Sequence, residues 1–272
     1  MLKHIIAAHS GVLPADVKVV FANTGRERPE TLDFVQECSE RWRCAITWVE
    51  FDPEAEHKTK IVNHNSASRN GEPLKAAIDS RPTAHLFNVV SRYCTGTTKH
   101  RRIEKFGKKW CGWNSWISVR GIRADEPRRV ASQLGKTGKD GQIIDLPLAK
   151  AGVTNDDVLK WWDQQPFQLL LPIVNGATLH GNCDLCPMKS RKKLLQCLKE
   201  DPSSADWWIE QERNMTARIA DIPRRDNGRE LRDRFFKTGE SYRDLLDLAL
   251  SPSVQIDIFG DDHASIDCAC TD

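Results

Sequence analysis

Residues 181–186 read GNCDLC, a cysteine pair at the spacing with which chains clip a metal ion or carry a redox couple. Thiolates are soft ligands, so Cys183 and Cys186 suit zinc or part of an iron–sulfur cluster, and either metal wants further donors. No second CxxC pair exists to complete a zinc ribbon. The donors available for completion are Cys94, Cys111, Cys197 and His180. A thioredoxin-type pair fits less well, because the flanking pattern is not βαβ. Two more thiols, Cys268 and Cys270, lie in the acidic tail DDHASIDCACTD, which could carry a nucleophile into a site and out again.

Three other stretches hold groups that bind ligands. FANTGRERPETLDF (21–34) places Asn23, Thr24 and Gly25 where a strand turns into a helix, and in open α/β sheets ligands lie beyond such strand ends. The same residues also make an ordinary tight turn. SRYCTGTTKHRRIEKF (91–106) sets Cys94 before a helix whose first turns carry Lys99, Arg101 and Arg102, charges that favour anions and thiolates. GIRADEPRR (121–129) brings Arg123, Arg128 and Arg129 together with Asp125 and Glu126. Planar guanidinium forks suit phosphate or sulfate, although the segment also reads as a surface ion-pair cluster.

The elements that must position these groups are legible from period and punctuation. VKVVFAN (17–23) and AITWVEF (45–51) are short β-branched runs of the buried-strand type, and RPETLDFVQECSERW (28–42) between them has helical spacing behind Pro29 and Glu30. That order predicts an α/β class with a mostly parallel sheet flanked by helices. Further helices are predicted over 2–8, 72–80, 97–110, 154–166, 190–201, 204–215 and 241–250, and a strand over 115–122. The reading divides the chain into an α/β domain over 1–220, containing the cysteine motif, and a segment 221–272 with a C-terminal helix and a flexible, cysteine-containing tail.

Composition narrows the class further. The chain has 272 residues, nine cysteines and a formal charge of +2, so nothing draws it over long range to nucleic acid. Local basic runs at 99–109 and 189–193 remain candidates for phosphate contact. No apolar run approaches the ~20 residues that span a bilayer. The opening MLKHIIAAHS is too polar for a signal peptide, which predicts a cytoplasmic protein and no membrane partner. In a reducing compartment, clustered thiols point to metal or catalysis rather than disulfides.

Taken in order, the motifs resemble the phosphoadenylyl-sulfate reductase-like family of the adenine nucleotide α-hydrolase-like superfamily, in its bacterial and phage branch. VVFANTGRERPETLDFV is similar to the family's strand–turn–helix, YCTGTTKHR to its cysteine and basic residues, and GIRADEPRR to its arginine-rich anion site. GNCDLC matches the later cysteine pair, and CACTD the tail cysteine of the reductases. The resemblance runs from about residue 17 to 215. Two departures stand out. The family's first strand and SGGxDS-type phosphate loop are missing before residues 2–8, and Tyr93 stands where cluster-bearing reductases have a second adjacent cysteine.

The resemblance implies an adenosine nucleotide as substrate, held by Asn23, Thr24, Gly25, Lys99, Arg101, Arg123, Arg128 and Arg129. It implies an iron–sulfur cluster, of the 4Fe-4S type, on Cys94, Cys183 and Cys186, with Cys197 or His180 as a closing ligand and zinc as the alternative metal. Cys268 or Cys270 would attack activated sulfate, with a thioredoxin-type reductant as partner and sulfite as product. An ATP-dependent sulfurtransferase acting on nucleic acid through a three-cysteine cluster is the alternative enzyme. An inactive, metal-stabilised family member is the non-enzymatic one. A homodimer is compatible with each.

Overall fold

The computed structural model describes residues 1–138, 141–174, 177–222 and 231–252. Helix α1 (Leu2–Ala8) leads to β1 (Val19–Ala22), α2 (Pro29–Arg41) and β2 (Ile46–Phe51), the order expected from the sequence. β1 and β2 run parallel, with Val19 opposite Ile46. The next strand, β3 (Thr59–Val62), pairs antiparallel with β2. Residues 52–58 are too short for the crossover helix that a parallel return requires, so the chain turns straight back. Here the expectation of a mostly parallel sheet is corrected. The first sheet is mixed and three-stranded, in the order β1-β2-β3.

After α3 (Glu72–Asp79) and α4 (Arg101–Lys109), two further small sheets form. β4 (Trp116–Val119) pairs parallel with β5 (Gln142–Asp145) across the short helix α5 (Pro127–Gln133). Beyond α6 (Pro147–Lys150) and α7 (Asn155–Asp163), β6 (Ile173–Val174) and β7 (Ala177–Thr178) make a hairpin. Helices α8 (Arg191–Glu200), α9 (Asp206–Ala220) and α10 (Tyr242–Leu250) complete the described chain. The fold is therefore α/β, with helices around small sheets.

Strand alternation decides which helix covers which face of the first sheet. Phe21, Ile46, Trp48 and Val62 pack with Leu32 and Val35 of α2. Val20, Ala22 and Val49 pack on the other side with Ile103 and Phe106 of α4. α7 starts at a capping box in which the Thr154 side chain accepts from Asp157 N while the Asp157 carboxylate accepts from Thr154 N. It lays Trp161 and Trp162 beside Phe34 of α2 and Trp42 at its C-terminal cap.

The largest core joins α3, the 84–94 segment, the GNCDLC loop and the three C-terminal helices. Trp208 is fully buried and stacks on Tyr242 at 5.1 Å, with Phe87 and Phe235 edge-on to it. Tyr242 also donates its hydroxyl to the Leu185 carbonyl, which ties α10 to the cysteine loop. Phe235, Tyr242, Leu245, Leu246 and Ala249 thus share one core with the cysteine motif. No helix among the described residues is long and apolar enough to cross a membrane.

Glu212 links α9 to this core by accepting from Tyr242 N at 2.9 Å and from Phe235 N at 3.4 Å. Burial pushes its carboxyl up to about 7. The unfolded chain ionises this group above the ordinary glutamate value, whereas the folded chain keeps the proton until about pH 7. The folded state therefore binds more protons across that window, and stability falls as pH rises through it. Urea unfolding between pH 4.5 and 7.5 is predicted to show the parent losing up to about 3 kcal/mol relative to Glu212→Gln. Parallel profiles for the two proteins would refute the assignment.

Candidate functional site

Two loops far apart in the chain are stitched together at the site. Residue 27 forms an antiparallel bridge with residue 183, and Asp184 N donates to Arg26 O at 2.6 Å. Arg26 and Asp184 add an ion pair of 3.0 Å with both side chains mostly buried. Burial raises the Asp184 carboxyl even against the neighbouring arginine. Asn182 and Leu185 both take positive φ, at 63° and 45°, a costly backbone for residues other than glycine. Lys189 donates to the carbonyls of Leu179 and Gly181 and so braces the loop from beneath.

Between the loops lies a small cavity bounded by Cys94, Cys183, Cys186, Thr24 and Lys99. Leu74, Phe87 and Trp208 form its apolar wall. Three buried cysteines therefore line one space, although Cys94 comes from a distant part of the chain. Cys94 enters it from the start of a π-helical turn, Thr95–His100, that runs directly into α4. Such wide turns recur at functional positions. Thr98 fixes the turn by donating its hydroxyl to Cys94 O at 2.8 Å.

A chain of polar contacts crosses the cavity. Lys99 Nζ lies 3.2 Å from Glu27 Oε1, and both side chains are nearly buried. Glu27 Oε2 accepts from Thr24 N at 2.9 Å and from the Thr24 hydroxyl at 2.7 Å. Thr24 Oγ1 in turn lies 3.3 Å from Cys183 Sγ. Three soft donors, a buried cation and apolar walls are a donor set suited to a thiolate-held metal or cluster. As the side chains stand, no three His, Cys, Asp or Glu among the described residues converge closely enough to share one ion.

The other residues singled out in the sequence divide into several places. Asn23 is buried and fully engaged: its amide donates to Glu50 Oε1 at 2.6 Å and to Ser68 O, and its Oδ1 accepts from Gly25 N. Gly25 is approached closely by its own chain. Its φ is +77°, and a Cβ there would sit 2.9 Å from Pro73 Cδ and 3.0 Å from Gly71 N. Arg101 is exposed; the buried arginine of α4 is Arg102, which donates to Thr59 Oγ1 and to the carbonyls of His57 and Lys58. Burial lowers the Arg102 guanidinium to about 10.

Cys197 lies in the same core but does not line the cavity. Its thiol is directed at Leu179 O, and burial pushes it up to about 11. His180 is buried with Nε2 2.8 Å from Glu200 Oε2, and it too is away from the cavity wall. Cys111 is half-buried beyond the end of α4. Tyr93 bonds His85 O at 2.9 Å, so its hydroxyl is committed elsewhere. Arg123 is bound to Asp125 at 2.9 Å, Arg129 to Glu126, and Arg128 is exposed. None of these arginines lines the thiol cavity. Cys268 and Cys270 lie outside the described residues.

The chain is similar to a phage lambda protein. That relative, "Uncharacterized nin region protein ORF290" of Escherichia phage lambda, is 30% identical over 200 residues. The match covers 68% of this chain and 61% of the relative, so the chain spans less than two thirds of its length. The likeness agrees with the phage character expected of the sequence. No family model matches the chain. No solved structure matches it either.

Sequence reasoning missed Glu27, the residue that joins Thr24 to Lys99. A signal was available in Thr24-x-x-Glu27, the spacing at which a hydroxyl residue and a glutamate bond each other at a turn. The loop contact makes one prediction. Gly25→Ala would force a Cβ into Gly71 and Pro73 at a positive φ, and should lower stability by about 2–4 kcal/mol. A thermal melt within 1–2 °C of the parent would show that the 24–27 loop is not held in this way.

Proposed function

We propose that this protein is an enzyme of adenylyl-nucleotide-dependent sulfur chemistry, phosphoadenylyl-sulfate reductase-like, built around a centre held by Cys94, Cys183 and Cys186. The observation that supports the reading is that these three cysteines line one cavity together with Lys99. When bound there, an iron–sulfur cluster of the 4Fe-4S type would supply a redox-active, electron-rich group, with zinc as the alternative metal. This chain's own residues do the rest. Lys99 and the Glu27–Thr24 pair keep a compensated charge next to the thiols, and Leu74, Phe87 and Trp208 exclude water.

In the reductase reaction a tail thiolate, Cys268 or Cys270, attacks the sulfur of the activated sulfate. An S–S bond forms, the bond from that sulfur to the phosphate oxygen breaks, and the adenosine bisphosphate leaves. A second thiol then attacks the enzyme sulfur and releases sulfite. The two electrons come from thiols that end as a disulfide, which a thioredoxin-type reductant restores.

A second reading is favoured by one observation. Among the described residues the cavity holds three cysteines, and Tyr93, at the position of a fourth, bonds the His85 carbonyl instead. Three protein thiolates would leave one iron without a protein ligand. An ATP-dependent sulfurtransferase acting on nucleic acid would use that position for sulfur delivery.

Anaerobically prepared protein is predicted to carry iron and acid-labile sulfide and to form sulfite from 3′-phosphoadenylyl sulfate with thioredoxin. Cys94→Ser should lose most of the bound iron and lower sulfite formation by at least about tenfold. Conversion of ATP to AMP and pyrophosphate, stimulated by nucleic acid and without sulfite, would select the second reading. A colourless protein with neither iron nor either activity would reject both.

A further inference from the structure

Helix α4 carries positive charge that the fold leaves unpaired. Arg101, Lys105 and Lys109 stand four residues apart, which sets them in one row about 12 Å long on the solvent side. Arg101 and Lys109 are exposed and Lys105 is half-buried. Among the described residues none of the three has a carboxylate within ion-pair distance, and Glu104 of the same helix is taken by Lys108 at 2.9 Å. Arg102, the buried arginine of the helix, donates to His57 O, Lys58 O and Thr59 Oγ1, all neutral oxygens. Those bonds fasten α4 to the turn Glu56–Lys58 before β3 and bring Lys58, which is exposed, to the end of the helix where Arg101 stands. Glu56, the one carboxylate of that turn, pairs with His57 at 3.3 Å.

An open aromatic ring adjoins these cations. Trp110 caps the C-terminus of α4 and is 40% exposed. Phe106 stacks against it with 6.3 Å between centroids and 18° between planes, and His57 meets it edge-on at 5.6 Å. The His57 contact joins the ring to the turn that carries Lys58, so row, turn and indole belong to one surface. An acidic peptide would satisfy the cations and leave the indole unused. A paired duplex would keep its base faces from it. An unpaired strand supplies both a run of phosphates and bases with free π-faces.

From this arrangement we infer that the α4 face binds single-stranded nucleic acid without sequence preference, its phosphates along Arg101, Lys105 and Lys109 and one base stacked on Trp110. The formal charge of the whole chain is only +2, so the attraction is local and acts within a Debye length of about 8 Å at physiological salt. Binding is therefore weak and strongly dependent on salt. The surface needs neither the thiol centre nor either proposed reaction.

Fluorescence anisotropy of a labelled oligothymidylate of about 20 nucleotides, titrated with the full chain, tests this. Binding is expected at micromolar protein in about 50 mM salt and should weaken steeply as salt is raised. Arg101→Gln, Lys105→Gln and Lys109→Gln combined should reduce the slope of log affinity against log salt by about 2. Trp110→Ala should weaken binding about tenfold with little change in that slope, and Trp110→Phe should retain most of the parent affinity. Circular dichroism checks that each variant folds. No binding up to about 100 μM protein would overturn the inference. So would equal affinity for a duplex of the same length, displacement by polyglutamate as effective as by unlabelled strand, or parent-like binding by the folded Trp110→Ala protein. Binding without nucleic-acid-stimulated turnover of ATP would leave this surface standing and remove the sulfurtransferase reading.

Discussion

Everything at the thiol site depends on a short antiparallel contact between residues 26–27 and 183–184. It is only a bridge and one further backbone hydrogen bond, reinforced by the Arg26–Asp184 pair. Yet it decides which way the alternating side chains point. Glu27 turns toward Thr24 and Lys99, while Arg26 turns to Asp184 and lies over Trp207. A shift of one residue would exchange these faces and turn the carboxylate away from Lys99. The positive-φ residues Asn182 and Leu185 hold the cysteine loop in a shape that only such external anchoring can maintain.

The anchors are buried polar groups, which sets their character. Burying Glu27, Lys99 and Glu50 is costly unless each is paired, and each is. Glu50 accepts from Asn23 and from Ser68 N, and so locks the end of β1 to the 63–71 loop. Lys99 sits on the π-helical turn, so its pair with Glu27 couples the Cys94 segment to the 24–27 loop. Removing one member would leave an uncompensated charge beside the thiols. The arrangement contributes more to uniqueness of geometry than to net stability.

Local order was well written in the sequence. Pro29 with Glu30, Thr154 with Asp157 and the β-branched runs at 19–22 and 46–51 fixed their elements through nearest neighbours alone. β3 was invisible because Thr59–Val62 is two buried and two exposed residues with no turn signal of the usual type, its reversal resting on positive φ at His57 and Lys58. Residue type left Cys94, Cys111, Cys197 and His180 as equal companions of Cys183 and Cys186, and the resemblance singled out Cys94, which lines their cavity, whereas the absence of Cys197 from that lining follows from the helix face on which α8 puts it. The Gly25 turn is a similar case. A glycine at a turn signals close approach, but the sequence does not say by what, and here it is Gly71. Trp42, Trp161 and Trp162 frame a cavity between α1, α2 and α7, a property of three helices that no one of them carries.

The most direct test of the account is a titration of the reduced, metal-free protein with cobalt(II), whose sulfur-to-metal charge-transfer intensity grows with the number of thiolates bound. The account predicts a three-thiolate spectrum that falls to two when Cys94 is replaced by serine and is unchanged when Cys197 is replaced. A two-thiolate spectrum in the parent, indifferent to Cys94, would contradict it.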